Sequence, residues 1–434
     1  MVAAAAGGAY YLTQLSPTPP PATTAATTAP ATTAAATTSA AGGKFYATWC
    51  PFGPSVDPVF KNMADEFAAK NSLTLTWDVI DWADYDKRLL TMFMGGEAPD
   101  ALYDYSEIMP MMVEGGYLEP LDDLFTAWED SKHFFKAPFK QSSYKGKIYG
   151  IPILGGEVLL YYNKAVLDKY GASYPTPDWT WDDFKAACVK VKSGSGGKAE
   201  GFVAPFADWP ELNYTWWPFF WQAGGQFLDD EANPTKCTVN SPEGVEALQW
   251  LRDLVDTNII FKSDIALGRD QGIEVFKKGA AAFLTEQPWK EVMIAEAPEV
   301  YSNLGVQPMI SGKAGRYTFG AFDYLSLSSI SKIKDLAWKY IQYFSSADNM
   351  LLYEKASMSL PTRDDVPNPA PDSMGMTLAM KYIETAKKVP PVKNGSLILS
   401  RMAKDIQGCL LGQMSAKQAL DDAANYGTKQ MFGT

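Results

Sequence analysis

The chain has 434 residues, 47% of them hydrophobic and 13% aromatic, more than one ordinary core holds, so two packed lobes are expected. A formal net charge of −12 argues against nucleic acid and anionic membrane surfaces as partners, and a single histidine, His133, leaves almost no material for a His-based triad or metal site. Cys50, Cys188, Cys237 and Cys409 lie far apart with no C-x-x-C pair, which removes zinc and thioredoxin-type readings and leaves either one or two disulfides or four buried thiols.

Residues 2–12 are small and apolar, about half the ~20 residues that span a bilayer. No Lys or Arg precedes Lys44, and residues 16–41 are almost wholly Pro, Ala, Thr and Ser, which cannot bury a core. Residues 1–43 are therefore expected to be the remnant of a secretion signal or membrane anchor, incomplete in this sequence, followed by a disordered stalk. Such a stalk implies tethered display on the outer cell surface.

From there the pattern alternates. Residues 44–49 read as a strand, followed by the loop Trp49-Cys50-Pro51-Phe52-Gly53. Asp57 is placed to cap a helix with Pro58 in its first turn and an apolar stripe of Phe60, Met63, Ala64 and Phe67. A strand over 73–80 ends at Asp81-Trp82. A helix over 85–94 closes at Gly95-Gly96, and a strand over 101–103 ends at Asp104-Tyr105-Ser106-Glu107. This alternation predicts a mostly parallel α/β sheet, with ligands off the carboxyl ends of its strands. Next, 147–153 and 158–162 read as two strands broken at Gly155-Gly156. Glu157 adjoins a run that should be buried, so its carboxylate must be paired, hydrogen-bonded or facing a cavity.

Thr180 and Asp183 suit the start of a helix as a capping pair. Residues 209–225 hold four Trp within thirteen positions, and at least one is expected to face a cleft. Ser241 and Pro242 begin a further helix. Residues 273–278 end at Gly279, and a strand over 280–284 runs into Thr285-Glu286-Gln287-Pro288-Trp289. A strand over 319–327 surrounds Phe322 and Asp323, a helix follows over 335–344, and the chain is helical from about Met374 with a break at Pro390-Pro391. Asp229-Asp230-Glu231 reads as a solvated turn, with Ca²⁺ binding as the alternative.

Several pieces, taken in order, resemble one family. They are Gly95-Gly96-Glu97-Ala98-Pro99-Asp100, Leu118-Glu119-Pro120-Leu121-Asp122, the run 144–152, Tyr161-Tyr162-Asn163-Lys164 and Thr180-Trp181-Asp182-Asp183-Phe184, then the runs 276–289 and 319–328, and Leu360-Pro361-Thr362-Arg363. Together they resemble the family 1 extracellular solute-binding proteins of ABC importers, the group containing the maltose- and trehalose-binding proteins. The resemblance implies a two-lobed periplasmic-binding-protein-like fold of class II, α/β throughout, with a ligand cleft between lobes joined by a hinge. On that pattern the chain crosses near Gly155, Gly320 and Ser359, giving lobe one as 44–154 with 321–358 and lobe two as 156–319 with 359–434. It further implies a monomer that captures a di- or oligosaccharide and delivers it to a membrane permease, with no cofactor, metal or catalytic residue. By position, the ligand residues would be Trp49, Trp82, Asp104, Glu107, Glu157, Trp217, Trp221, Trp289, Phe322, Asp323 and Arg363. The alternatives are a peptide or polyamine ligand on the same fold, or a glycosidase using two of Asp104, Glu107 and Glu157.

Overall fold

A computed structural model describes residues 43–433, apart from Ala83 and Ala232, so the expected anchor and stalk lie outside the described residues. Period-two alternation forms β1 (Lys44–Trp49), and an apolar stripe three and four residues apart forms α1 (Asp57–Lys70), which buries Phe60, Met63, Ala64 and Phe67. Asp57 does not cap α1. Its carboxylate accepts from the backbone N–H groups of Phe52 (2.6 Å) and Gly53 (3.2 Å), closing the loop before it. Then come β2 (Thr74–Val79), α2 (Tyr85–Gly95), β3 (Ala101–Asp104) and α3 (Met109–Glu114). Gly96, at φ 73°, takes the left-handed position that ends α2.

The chain then crosses in β4 (Gly150–Glu157) and continues as β5 (Leu159–Asn163). The expected break at Gly155-Gly156 is not there, because β4 runs through both glycines. A Cβ on Gly155 would stand 2.2 Å from the Phe322 ring, and one on Gly156 3.0 Å from Gln287. The pair is needed for close approach rather than for a bend.

The second half of the alternation gives α4 (Trp181–Gly194), started by the Thr180–Asp183 capping box, then β6 (Glu200–Val203), α5 (Trp209–Thr215) and α6 (Trp217–Gln222). It continues through α7 (Pro242–Asp256), capped by Ser241, α8 (Arg269–Lys277), β7 (Ala281–Glu286) and β8 (Leu304–Gln307). The long strand β9 (Thr318–Leu327) crosses back and is followed by α9 (Lys334–Phe344) and α10 (Ala347–Ser357). The chain ends with α11 (Met374–Tyr382), β10 (Ala386–Lys387), α12 (Gly395–Leu410) and α13 (Ala416–Phe432). None of the described helices is long and apolar enough to cross a membrane.

Two sheets result. The first has the order β10-β9-β3-β1-β2, with β4 also paired to β9; β1 is parallel to β2 and β3, and β9 is antiparallel to β3 and β4. The second has the order β8-β5-β7-β6. Each sheet has its own core. Phe45, Trp49, Phe60, Tyr103, Leu325 and Phe344 pack on the first, and Phe184, Phe202, Trp216, Trp217, Leu248 and Phe283 on the second. A third apolar cluster, including Leu159, Phe322, Leu360, Met376 and Ala386, fills the crossing region.

The segment after α10 returns to β4 and the first core. Leu360 bonds back to Gly155, Thr362 Oγ1 donates to Pro152 O (2.8 Å), and Val366 joins the first core. The four cysteines are buried free thiols.

Candidate functional site

The loops after β1, β2 and β3 meet at one end of the first sheet. Trp82 is 44% exposed there, held by Nε1 donating to Pro51 O (2.8 Å) and by Phe52, Tyr103 and Tyr105 rings at 5.6 to 5.8 Å. Tyr105 donates its hydroxyl to Asp86. Asp104 anchors the turn from beneath, accepting from Ser326 Oγ and from the Tyr105 N–H, both at 2.8 Å.

Against this rim stands a cavity of about 520 Å³. Asp86, Ser106, Glu107 and Met111 line one side. Trp209 and Asn213 of α5, with the strap 388–396, line the other. The capping box of Asp208 and Glu211 fixes the start of α5 and with it Trp209. One strong contact closes the wall: Lys388 Nζ lies 2.8 Å from Glu107 Oε1.

Burial sets the electrostatics. It raises the carboxyls of Asp104 to about 7 and Asp323 to about 6, and raises Asp86 as well, against the Tyr105 hydrogen bond. At Glu107 burial pushes the same way, but the Lys388 ammonium outweighs it and holds the carboxyl below its usual range. The wall therefore combines one carboxyl raised by burial, Asp86, with the Glu107–Lys388 ion pair.

Of the residues expected from sequence, Trp82 and Glu107 sit on this rim and wall, and Asp323 is partly exposed in β9 above the same sheet end. Trp289 stands 38% exposed in the turn after β7, its Nε1 donating to Gln287 Oε1 (2.9 Å). The Arg269 guanidinium lies 4.8 Å and the Lys290 ammonium 4.7 Å from its ring. Arg269 in turn pairs with the buried Glu286 and stacks on Tyr214.

The other expectations need correction. Trp49 is core: its ring lies 4.4 Å from Phe60, 5.2 Å from Tyr103 and 5.4 Å from Trp77 and Phe344. A residue at the end of a strand still points perpendicular to it, here under α1. Trp217 and Trp221 are buried and stacked on each other at 5.8 Å inside the second core. The tryptophan of this segment that reaches the cavity is Trp209. Phe322 is sealed over Gly155. Asp104 is buried below the turn it holds.

Arg363 is a structural tie. It pairs with Asp130 (3.1 Å) and Asp365 (2.7 Å), donates to Ser345 O (2.9 Å) and lies 5.1 Å from the Phe134 ring. Glu157 is fully buried, and neither of its oxygens has a partner among the described residues; burial pushes its carboxyl well above the ordinary range, the protonated form.

The sequence reading missed Asp86, Tyr105, Trp209, Asn213 and Lys388. Pro390-Pro391 was the available signal, since a stiff break between helices exposes its flanks. Away from the cavity, His133 Nδ1 contacts Asp364 (3.0 Å), with Asp365 nearby, but Arg363 already holds both Asp365 oxygens. Asp229 closes its own loop by accepting from the N–H groups of Thr235 and Lys236.

The sequence profile of the bacterial extracellular solute-binding proteins matches residues 53–351. A putative binding protein of Brucella abortus is 26% identical over 309 residues, covering 70% of this chain and 73% of that one. The maltodextrin-binding protein MdxE of Bacillus subtilis is 21% identical over 333 residues, covering 76% and 77%. Among solved structures, the sugar-binding protein MalE from Xanthomonas citri superposes with a TM-score of 0.79 at 18% identity, covering 89% of this chain and 97% of that one.

Proposed function

The chain belongs to the bacterial extracellular solute-binding protein family, and from that premise we propose that it captures a di- or oligosaccharide in the cavity between its lobes and delivers it to an ABC transporter permease. The observation that carries this reading is the makeup of the cavity. Trp209 and the proline strap give it apolar faces, while Asp86, Ser106, Glu107 and Asn213 give it short polar groups. A pyranose ring presents the same pair of surfaces, C–H faces that pack on aromatic rings and hydroxyls that need directed acceptors and donors. Trp82, and Trp289 once its flanking cations yield, extend the aromatic supply at the rim. The sugar names carried by relatives such as the Bacillus subtilis protein point the same way.

Binding without turnover fits the carboxylates. Asp104 and Glu157 are sealed from the cavity, so of the three acids considered only Glu107 reaches it, and Lys388 keeps that one ionised. A glycosidase needs a second carboxyl flanking the bond; Asp86 and Glu114 also line the cavity, so the glucose assay below, not the number of carboxyls, separates binding from turnover. The protein would work as a monomer, tethered at the cell surface through residues 1–43.

Calorimetric titration with maltose, maltotriose, maltotetraose and, as a non-sugar control, spermidine tests the reading. Saturable binding of a saccharide with no free glucose after prolonged incubation supports it. Binding of spermidine alone, or release of glucose, refutes it. Mass spectrometry of solute carried through purification identifies the sugar.

A further inference from the structure

Lys388 and Glu107 meet where two strands of the first sheet end head to head. Val158, which follows β4, donates its N–H to Phe319 O, so Phe319 faces the β4 side of β9. The edge of β9 used by β10 at Thr318 and Phe319 is therefore the opposite one, which β3 uses further along. β3 runs antiparallel to β9 and last meets it at Asp104, opposite Tyr324. β10 runs parallel and leaves at Lys387, opposite Phe319. The two chain ends point at each other across the four residues 320–323 of β9, five steps from Phe319 to Tyr324 or about 17 Å at about 3.4 Å per step.

A side chain, not a strand, closes the backbone of that gap: Gln141 Nε2 donates to Gly320 O (2.6 Å), and its Oε1 accepts from Phe322 N (3.1 Å). Beyond it, Glu107 comes from the turn after β3 and Lys388 comes directly after β10. Behind Glu107 lies the first core. Behind Lys388 the chain passes Pro390-Pro391 into α12, which packs on α7 and α13 in the second core.

We infer that Lys388 is a positioning residue for the binding site: by pairing with Glu107 it holds the turn after β3 against the 388–394 strap and biases the lobes toward the closed arrangement before solute arrives. The inference rests on the cavity being the solute site, but the ligand-free balance it describes does not depend on the solute being a sugar. The pair is poorly screened, with the Lys388 side chain 11% and the Glu107 side chain 34% exposed. Ser106 Oγ donates to Glu107 Oε2 (3.1 Å) and fixes the carboxylate from its own side. Two consecutive prolines stiffen the strap, so holding Lys388 also holds the entry to α12. On this inference the pair is broken in the open state, so it shifts the open–closed balance by its own free energy, roughly three- to tenfold.

The test begins without ligand. Small-angle scattering is recorded for the wild type, Lys388→Met, Glu107→Gln and the swapped pair Glu107→Lys with Lys388→Glu. The single variants should have a larger radius of gyration than the wild type at low salt. The wild type should drift toward them as salt rises to about 1 M, where screening is strong, and the swap should restore the smaller radius. Maltotriose affinity should fall roughly three- to tenfold in Lys388→Met; the swap also changes a cavity-lining group, Glu107, so it is read by its radius alone. Equal radii for the wild type and Lys388→Met overturn the inference, as does a swap that folds but stays expanded. If melting curves show that the swap does not fold, the wild-type salt series decides, and a flat series overturns it. If maltotriose binds none of these proteins while the radii behave as stated, the sugar reading fails and the positioning role of Lys388 stands.

Discussion

The rim above the first sheet and the 209–225 segment of the second lobe are both crowded with aromatic rings, and they use them in opposite ways. At the rim, Trp82 lies against its neighbours at ring distances of 5.6 to 5.8 Å and leaves 44% of itself to solvent. In the second lobe, Trp216, Trp217 and Trp221 face one another and Phe220 and Phe227, with nothing left over. Aromatic density therefore says little about a site. An uncovered ring face says more, and in that segment Trp209 keeps one because it stands at the helix start beside the cavity.

The largest effect should come from the covered rings. Trp217→Ala should cost about 3–5 kcal/mol of folding stability, the usual range for truncating a core tryptophan. Denaturant titration measures it, and a loss under about 1 kcal/mol would mean the ring is not packed as described. Trp82→Ala should do the reverse. Saccharide affinity should fall by about 1–3 kcal/mol in calorimetry, while the ligand-free melting temperature stays close to wild type. Trp209→Ala should lose affinity over the same range, with a modest stability cost for the buried part of its ring. If Trp82→Ala unfolds the protein and leaves affinity intact, the contrast between the two regions collapses.

Glu157 sharpens the same contrast between covered and uncovered groups through pH. Burial places its native pKa above the unfolded value of about 4.3. The native state then binds the proton more tightly, so this contribution is fully present below the unfolded pKa and is lost as pH rises toward the native one. Glu157→Gln should flatten that decline and be the more stable protein at alkaline pH, read from urea midpoints at pH 5 and pH 8. Identical midpoint shifts in both proteins would show that another group titrates. The smallest effect is a control far from the cavity: Thr180→Ala should remove the cap of α4 for about 1 kcal/mol and leave affinity unchanged.

Much of the fold was legible because its signals are local. The Thr180–Asp183 and Ser241 caps, the stripe of α1 and the Gly96 stop are written within a few residues of where they act. The glycine pair in β4 was visible, but its purpose was not, since that depends on Phe322 arriving from a distant strand. The candidate site was less legible. Trp49 ends β1 and Trp82 follows β2, and only the helix packed over β1 decides that the first is core and the second rim. Pro390-Pro391 marked the strap that carries Lys388 but not its partner Glu107, because that role comes from where β10 meets β9. Family position identified the region of the site better than its individual side chains.

β9 has a consequence for how the chain is made. Tyr324 pairs with Asp104 about 220 residues earlier, and among the described residues β4 has no strand partner other than β9. At about 5–20 residues per second, roughly 10 to 40 seconds of synthesis separate β3 from the strand that covers its edge. Until then one edge of β3 and the whole of β4 present unpaired backbone groups, a template for mispairing. The second sheet lies entirely within the intervening stretch and can close first. The sheet that begins the globular chain is thus the one completed later, and a truncation before residue 318 would leave it open rather than merely shorter.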